Sequence, residues 1–181
     1  QLLTLRADRA SDTYRLHADD DWLSPEGLQV RAVLDVDDDG VVAAVAPGPE
    51  HCAAVRVGWD GTVVALTPST GWHAARSAGG TVVTVSRTLE STEVVHTVTT
   101  ANGTHPVLSH AERPVVTPRV TLLEAGPTRL RTAVLFPTDH VPGSRRLPVV
   151  LSPYGGPHHA EVLAAAGLYG EDQWLADQGF C

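Results

Sequence analysis

Isoleucine, methionine and lysine are absent from this 181-residue chain, so all 13 of its basic residues are arginine and its core must be built from Val, Leu and Ala. A formal charge of −8 with no cationic stripe excludes phosphate-backbone binding, which needs clustered positive side chains, and no nucleic-acid partner is expected. Long apolar runs are also lacking. A membrane helix needs about 18 or more continuous apolar residues, whereas here the Val-rich runs are cut by Gly, Pro or Asp, so no membrane segment is expected. Cysteine is scarce: Cys52 and Cys181 stand far apart, neither in a Cys-x-x-Cys pattern, which removes support for zinc or dithiol chemistry and leaves two small apolar residues. No metal or cofactor is expected. The chain opens on Gln1 and carries no basic segment followed by an apolar run, so the expectation is a fragment of a longer, cytoplasmic protein.

What is present reads as β-structure first. From about Val30 to Leu108 short Val- and Thr-rich runs are split by Asp39-Gly40, Asp60-Gly61, Gly79-Gly80 and Asn102-Gly103, each a tight-hairpin signal. Val33–Val36 should pair with Val41–Val45, Ala53–Val57 with Val63–Leu66, Ala74–Ser77 with Val82–Ser86, and Val94–Thr99 with Pro106–Leu108. The turns recur about every 20 residues, so two hairpins fill about 40, the period of one four-stranded propeller blade. A β-sandwich would also give hairpins, with less reason for the even spacing. Tyr14–His17 and Trp22 would belong to a preceding blade.

After Arg113 prolines punctuate longer segments such as Arg119–Leu123 and Leu130–Phe136, which sets the expected division: residues 1–112 as the last blades of a β-propeller, residues 113–181 as a second domain. There Leu147-Pro148-Val149-Val150-Leu151-Ser152 has the composition of a buried strand. It runs into Pro153-Tyr154-Gly155-Gly156-Pro157. Glu171–Gln178 then predicts a short helix with acidic residues in its first turn, Trp174 and Leu175 for packing and Gly179 as C-terminal cap, and Phe180-Cys181 should begin the next strand. The order strand, loop, helix, strand is that of an α/β sheet.

The segment LPVVLSPYGGP followed by QWLADQGF resembles the opening of the peptidase domain in the prolyl oligopeptidase family of serine peptidases, especially its dipeptidyl peptidase IV branch. Leu66-Thr67-Pro68 and Gly71-Trp72-His73 are similar to the last propeller blades of that branch. The resemblance implies a mixed fold, an all-β propeller end followed by the first strands and helix of an α/β-hydrolase domain, acting on short peptides through an acyl-enzyme. It implies Tyr154 as an oxyanion-hole donor and Gly155 and Gly156 as substrate-binding backbone, and it allows a homodimer of the full-length protein. A rigidly held phenol suits that role, since acyl transfer builds negative charge on the former carbonyl oxygen, and glycines let backbone turn sharply and approach a substrate.

Gly-x-Ser-x-Gly, the elbow such a family uses for its nucleophile, occurs nowhere in the chain. The nearest pattern, Ala75-Arg76-Ser77-Ala78-Gly79, lacks the first glycine and reads as strand, so this chain alone is expected to be inactive. Asp35 to Gly40 begins like a calcium loop, but its twelfth position is Ala46 and its flanks are β-rich, so a solvated acidic hairpin is expected. His158-His159 reads as exposed loop rather than a ligand pair. The residues leave three readings open: a propeller-gated serine peptidase, another α/β-hydrolase such as an acylaminoacyl peptidase or esterase, and a non-catalytic propeller that binds proteins.

Overall fold

The computed structural model describes residues 2–156 and 160–181. Its thirteen strands are β1 (Leu3–Asp8), β2 (Thr13–Ala18), β3 (Asp21–Trp22), β4 (Val30–Asp37), β5 (Gly40–Val45), β6 (Ala53–Gly58), β7 (Val63–Ala65), β8 (Trp72–Ala78), β9 (Thr81–Arg87), β10 (Val95–Thr100), β11 (Gly103–Val107), β12 (Thr121–Ala125) and β13 (Leu130–Val134). One helix, α1 (Gly170–Asp177), follows a 3-10 turn at Ala166–Leu168. Two compact units divide these elements: Gln1–Ser86 with Val94–Ser109, and Arg87–Glu93 with His110–Cys181.

In the first unit the hairpins join two by two, giving four-stranded antiparallel sheets β4-β5-β6-β7 and β8-β9-β10-β11 after a three-stranded sheet β1-β2-β3. The paired segments are those the turn dipeptides select, with Val36 opposite Val41, Val57 opposite Val63 and His96 opposite Val107. Two of the turns sit one residue earlier than their dipeptide suggests. Asp37 pairs with Gly40 and Thr100 with Gly103, so the connecting residues are 38–39 and 101–102, and each glycine becomes the first strand residue, at φ +143° and +127°. Gly79-Gly80 does form the two-residue turn itself, both φ values being positive (+53° and +74°), the combination that matches strand twist.

Burial explains why the middle sheet is so rich in Val and Ala. β1 and β2 pack on β4, and β8 packs on β4, β5 and β6, so the sheet β4 to β7 is covered on both faces. Consequently β5 and β6 are apolar along nearly their whole length, and Val41, Val42, Ala43, Ala54 and Val57 are fully or almost fully buried. Leu16 of β2 and Leu23, just after β3, complete a core with Val30, Val45, Ala53 and Val55. Each fully buried Val or Leu contributes about 1.5–3 kcal/mol. By contrast β8, covered on one face, alternates: His73, Ala75 and Ser77 are buried while Ala74, Arg76 and Ala78 are exposed.

The second unit is sparser. β12 and β13 form a hairpin, and Leu135 packs with Tyr169 and Ala176, flanked by Val120 and Ala133. α1 begins with Glu171 and Asp172 in its first turn, where carboxylates favour the positive helix end, and stops at Gly179, whose φ of +102° only glycine adopts without strain. Two expectations are corrected here. Leu147–Ser152 is not a buried strand: it joins none of the described sheets, and Val149, Val150 and Leu151 are 64%, 49% and 82% exposed because no described residue covers them. Trp174 does not pack inward either, being 53% exposed, while Gln173 and Ala176 occupy the buried face of α1.

Candidate functional site

The apolar run that precedes Tyr154 is held by two main-chain bonds. Cys181 N–H donates to the Pro148 carbonyl at 2.9 Å and Val150 N–H donates to the Cys181 carbonyl at 2.8 Å, the slanted pair that defines one rung between parallel strands. Beyond it the chain runs through Ser152 and Pro153 to Tyr154, Gly155 and Gly156 without helix or strand.

Tyr154 is 42% exposed and its ring lies over Gly156: a Cβ built on Gly156 would sit 2.6 Å from the phenol Cζ and closer still to the hydroxyl. No real contact between carbon atoms is that short, so Gly156 is the seat of the tyrosine ring. Gly155 has open space around it, and neither glycine takes a positive φ. The reason for glycine at 156 therefore differs from the one read in the sequence: it makes room for Tyr154 rather than for a sharp turn. Pro157, His158 and His159 lie outside the described residues.

The chain's other tyrosines are placed differently. Tyr169 is buried, and its hydroxyl both accepts from Leu163 N–H (2.8 Å) and donates to the Leu163 carbonyl (2.9 Å). Burial, the largest influence, pushes its phenol pKa up and keeps it a neutral structural group. Tyr14 sits in β2, a different element of the first unit.

Among residues singled out for chemistry, Ser77 lies buried in β8 and accepts from Arg56 at 3.4 Å. The acidic run Asp35–Gly40 is the β4–β5 hairpin, and Asp37 there binds Arg56 (2.6 Å) and the Asp39 N–H (3.0 Å). The Arg56 hydrogen bond holds the Asp37 carboxyl below the ordinary range. Cys52 is buried and Cys181 half-buried, both free thiols, and burial pushes the Cys52 thiol up. Trp72 carries the Arg31 guanidinium 5.0 Å from its ring centroid, and His73 is 2% exposed with Nε2 2.6 Å from the Thr70 carbonyl oxygen.

Two polar networks escaped the sequence reading. Gln173, fully buried, accepts from Arg119 N–H (2.9 Å) and donates to the Phe136 carbonyl (3.0 Å) and to Asp177 (3.1 Å), while Asp177 also accepts from Thr138 N–H (2.7 Å). One glutamine thus satisfies main-chain groups on either side of the β12–β13 hairpin. In the first unit Arg15 binds Asp8 (2.7 Å) and the Ser24 carbonyl (2.6 and 3.1 Å) and stacks on Trp22 at 4.6 Å. Signals for both existed only as a polar residue at an apolar phase, which sequence alone assigns to solvent.

No protein-family model and no curated protein matches the chain. Among solved structures it is similar to the dipeptidyl peptidase 4 of Porphyromonas gingivalis, with a TM-score of 0.74, 19% sequence identity, and coverage of 93% of this chain and 26% of that one. The chain therefore spans about a quarter of that protein's length, and at this identity the likeness is one of fold: stacked antiparallel sheets of a β-propeller-like region, within a fold related to that of a dipeptidyl peptidase.

Proposed function

We propose that the chain is part of a serine peptidase that cleaves short peptides, residues 1–112 closing a gating propeller and residues 113–181 opening the catalytic α/β-hydrolase domain, with Tyr154 donating to the oxyanion. The observation that carries this reading is the fold likeness to a dipeptidyl peptidase across 93% of the chain. Supporting it, the missing Cβ of Gly156 leaves room for the Tyr154 phenol beside the backbone, and 42% of the residue stays accessible to a substrate. A donor fixed before reaction stabilises developing negative charge without reorganising, and removing one such donor costs roughly 10²–10³ in kcat. The rung between Val149 and Cys181 favours an α/β start, because parallel neighbours joined through a helix are the unit of such sheets.

In this reading the nucleophilic Ser and its Asp and His belong to the longer protein, which is cytoplasmic, and the 181-residue chain alone is inactive. Gly155 and Gly156 would border the substrate. The test is the Tyr154→Phe change in the full-length protein, assayed on short chromogenic peptides. Turnover should fall about a hundredfold or more with folding intact, and an unchanged turnover number would reduce Tyr154 to a structural residue. Labelling of the 181-residue chain by a serine-directed fluorophosphonate would place the nucleophile inside it and refute the division of labour.

A further inference from the structure

The chain contains one pair of adjacent basic residues, Arg145-Arg146, and the fold presents it on a loop bonded mainly to itself. After β13 the backbone makes two successive turns. His140 N–H donates to the Pro137 carbonyl at 2.9 Å, and Ser144 N–H donates to the Val141 carbonyl at 3.0 Å, with Pro142 and Gly143 (φ +80°) at the centre of a type II turn. Residues 141–146 are all exposed and belong to no helix or strand. The contact of Arg145 with Asp139, 3.8 Å long between side chains 54% and 83% exposed, restrains little.

Other arginines are less accessible to a peptidase. Most lie within strands, where the main chain is already paired. Arg113 precedes Pro114 and pairs with Glu93, Arg119 has its N–H on Gln173 and its guanidinium on the Thr138 carbonyl, and Arg129 occupies a tight turn at φ +53° with its guanidinium on Glu124. Arg9 is the nearest competitor, but its turn is pinned by Asp8 through the Ala10 N–H (3.0 Å) and the Ser11 hydroxyl (2.9 Å).

We propose that this loop is a processing site, hydrolysed after Arg146 by a peptidase selective for basic side chains, and that the products 1–146 and 147–181 stay associated. Water adds across one peptide bond, leaving an α-carboxylate on Arg146 and an α-ammonium on Leu147. Association follows from bonds that join the two products without depending on the cut bond. Gln173 holds Arg119 N–H and the Phe136 carbonyl, Asp177 holds Thr138 N–H, Ala166 N–H donates to the Thr88 carbonyl at 2.8 Å, and Tyr169 and Ala176 pack on Leu135.

The test is brief digestion of the 181-residue chain with a low ratio of trypsin, followed by intact-mass analysis and by size-exclusion chromatography with and without denaturant. Expected are a first cut at Arg145-Arg146, one native peak holding both pieces, and their separation only in denaturant. In the R145Q/R146Q double variant, which touches only exposed side chains, the first cut should slow about tenfold or more, since every other arginine then requires local opening. A first cut after any other arginine, an unchanged rate in the variant, or separation of the pieces without denaturant would overturn the proposal.

Discussion

Gly40 offers a sharp test of how the middle sheet is built. It opens β5 at φ +143°, directly opposite Gly58 in β6, and a Cβ added there would land on the Val57 carbonyl oxygen and 2.8 Å from Gly58 Cα. Both obstacles are backbone, in strands whose register runs unbroken from Gly40 to Val45, so neither can swing aside as a side-chain end would. Gly40→Ala therefore combines about 1–3 kcal/mol for holding a non-glycine residue in that backbone region with about 1–3 kcal/mol for overpacking, about 2–6 kcal/mol in all. Gly80→Ala is the matched control: its φ is +74° and nothing lies within 4 Å of the added carbon, so only the left-handed cost of about 1–2 kcal/mol applies. Urea unfolding followed by tryptophan emission measures both, in a Trp174→Phe background so that the signal comes from Trp22, Trp59 and Trp72 of the first unit. Trp174 is half-exposed, so this background change is mild. Equal losses for Gly40→Ala and Gly80→Ala would refute the steric argument and leave only backbone conformation.

If the full-length protein is the peptidase proposed above, Gly156→Ala should cost as much turnover as Tyr154→Phe, about a hundredfold, because the new methyl displaces the phenol; peptide hydrolysis at saturating substrate reads it, and an unchanged turnover in Gly156→Ala would show the ring is not seated there. Gln173→Leu should destabilise by about 2–4 kcal/mol despite similar volume, since Arg119 N–H and the Phe136 carbonyl lose their partner; chemical denaturation monitored by Trp174 emission checks it. Asp8, Asp37 and Asp177 all have carboxyl pKa values lowered from 3.8, first by hydrogen bonds from Arg15, Arg56 and the Thr138 N–H respectively. A lowered folded-state pKa stabilises above the unfolded value and loses that stabilisation as pH falls through the folded one. Stability should therefore hold through neutral pH and decline below about pH 4, with Asp37→Asn and Asp177→Asn flattening the decline in acid titrations.

The hairpin rhythm was legible because turn residues act locally: glycine and aspartate punctuate the chain wherever the backbone must reverse, and strand pairing follows from distance along the sequence. Even so, Asp39-Gly40 and Asn102-Gly103 mark the residue after the turn, since their glycines serve a positive φ at the strand start. Apolar content misled twice. Val149 to Leu151 look buried by composition, yet burial depends on what else covers a segment, and nothing described here does. At Gln173 and Trp174 the usual preference is inverted, because the buried position faces main-chain groups that need a hydrogen-bonding partner more than the core needs a ring. Tyr154 stood out through the residues around it, whereas the fit of its ring over Gly156 is a side-chain packing fact with no sequence signature.

Chain connectivity adds a practical consequence. Residues Arg87–Glu93, the end of β9 and the start of its connection to β10, group with the second unit, where the Thr88 carbonyl receives the Ala166 N–H and the Thr92 carbonyl lies against Gly167. The second unit is therefore not contiguous in the gene. A clone beginning at residue 110 would deprive Ala166 of its acceptor, and a clone ending there would strand seven residues without their neighbours. Subcloning should keep the chain whole or graft 87–93 onto 110–181 through a designed linker.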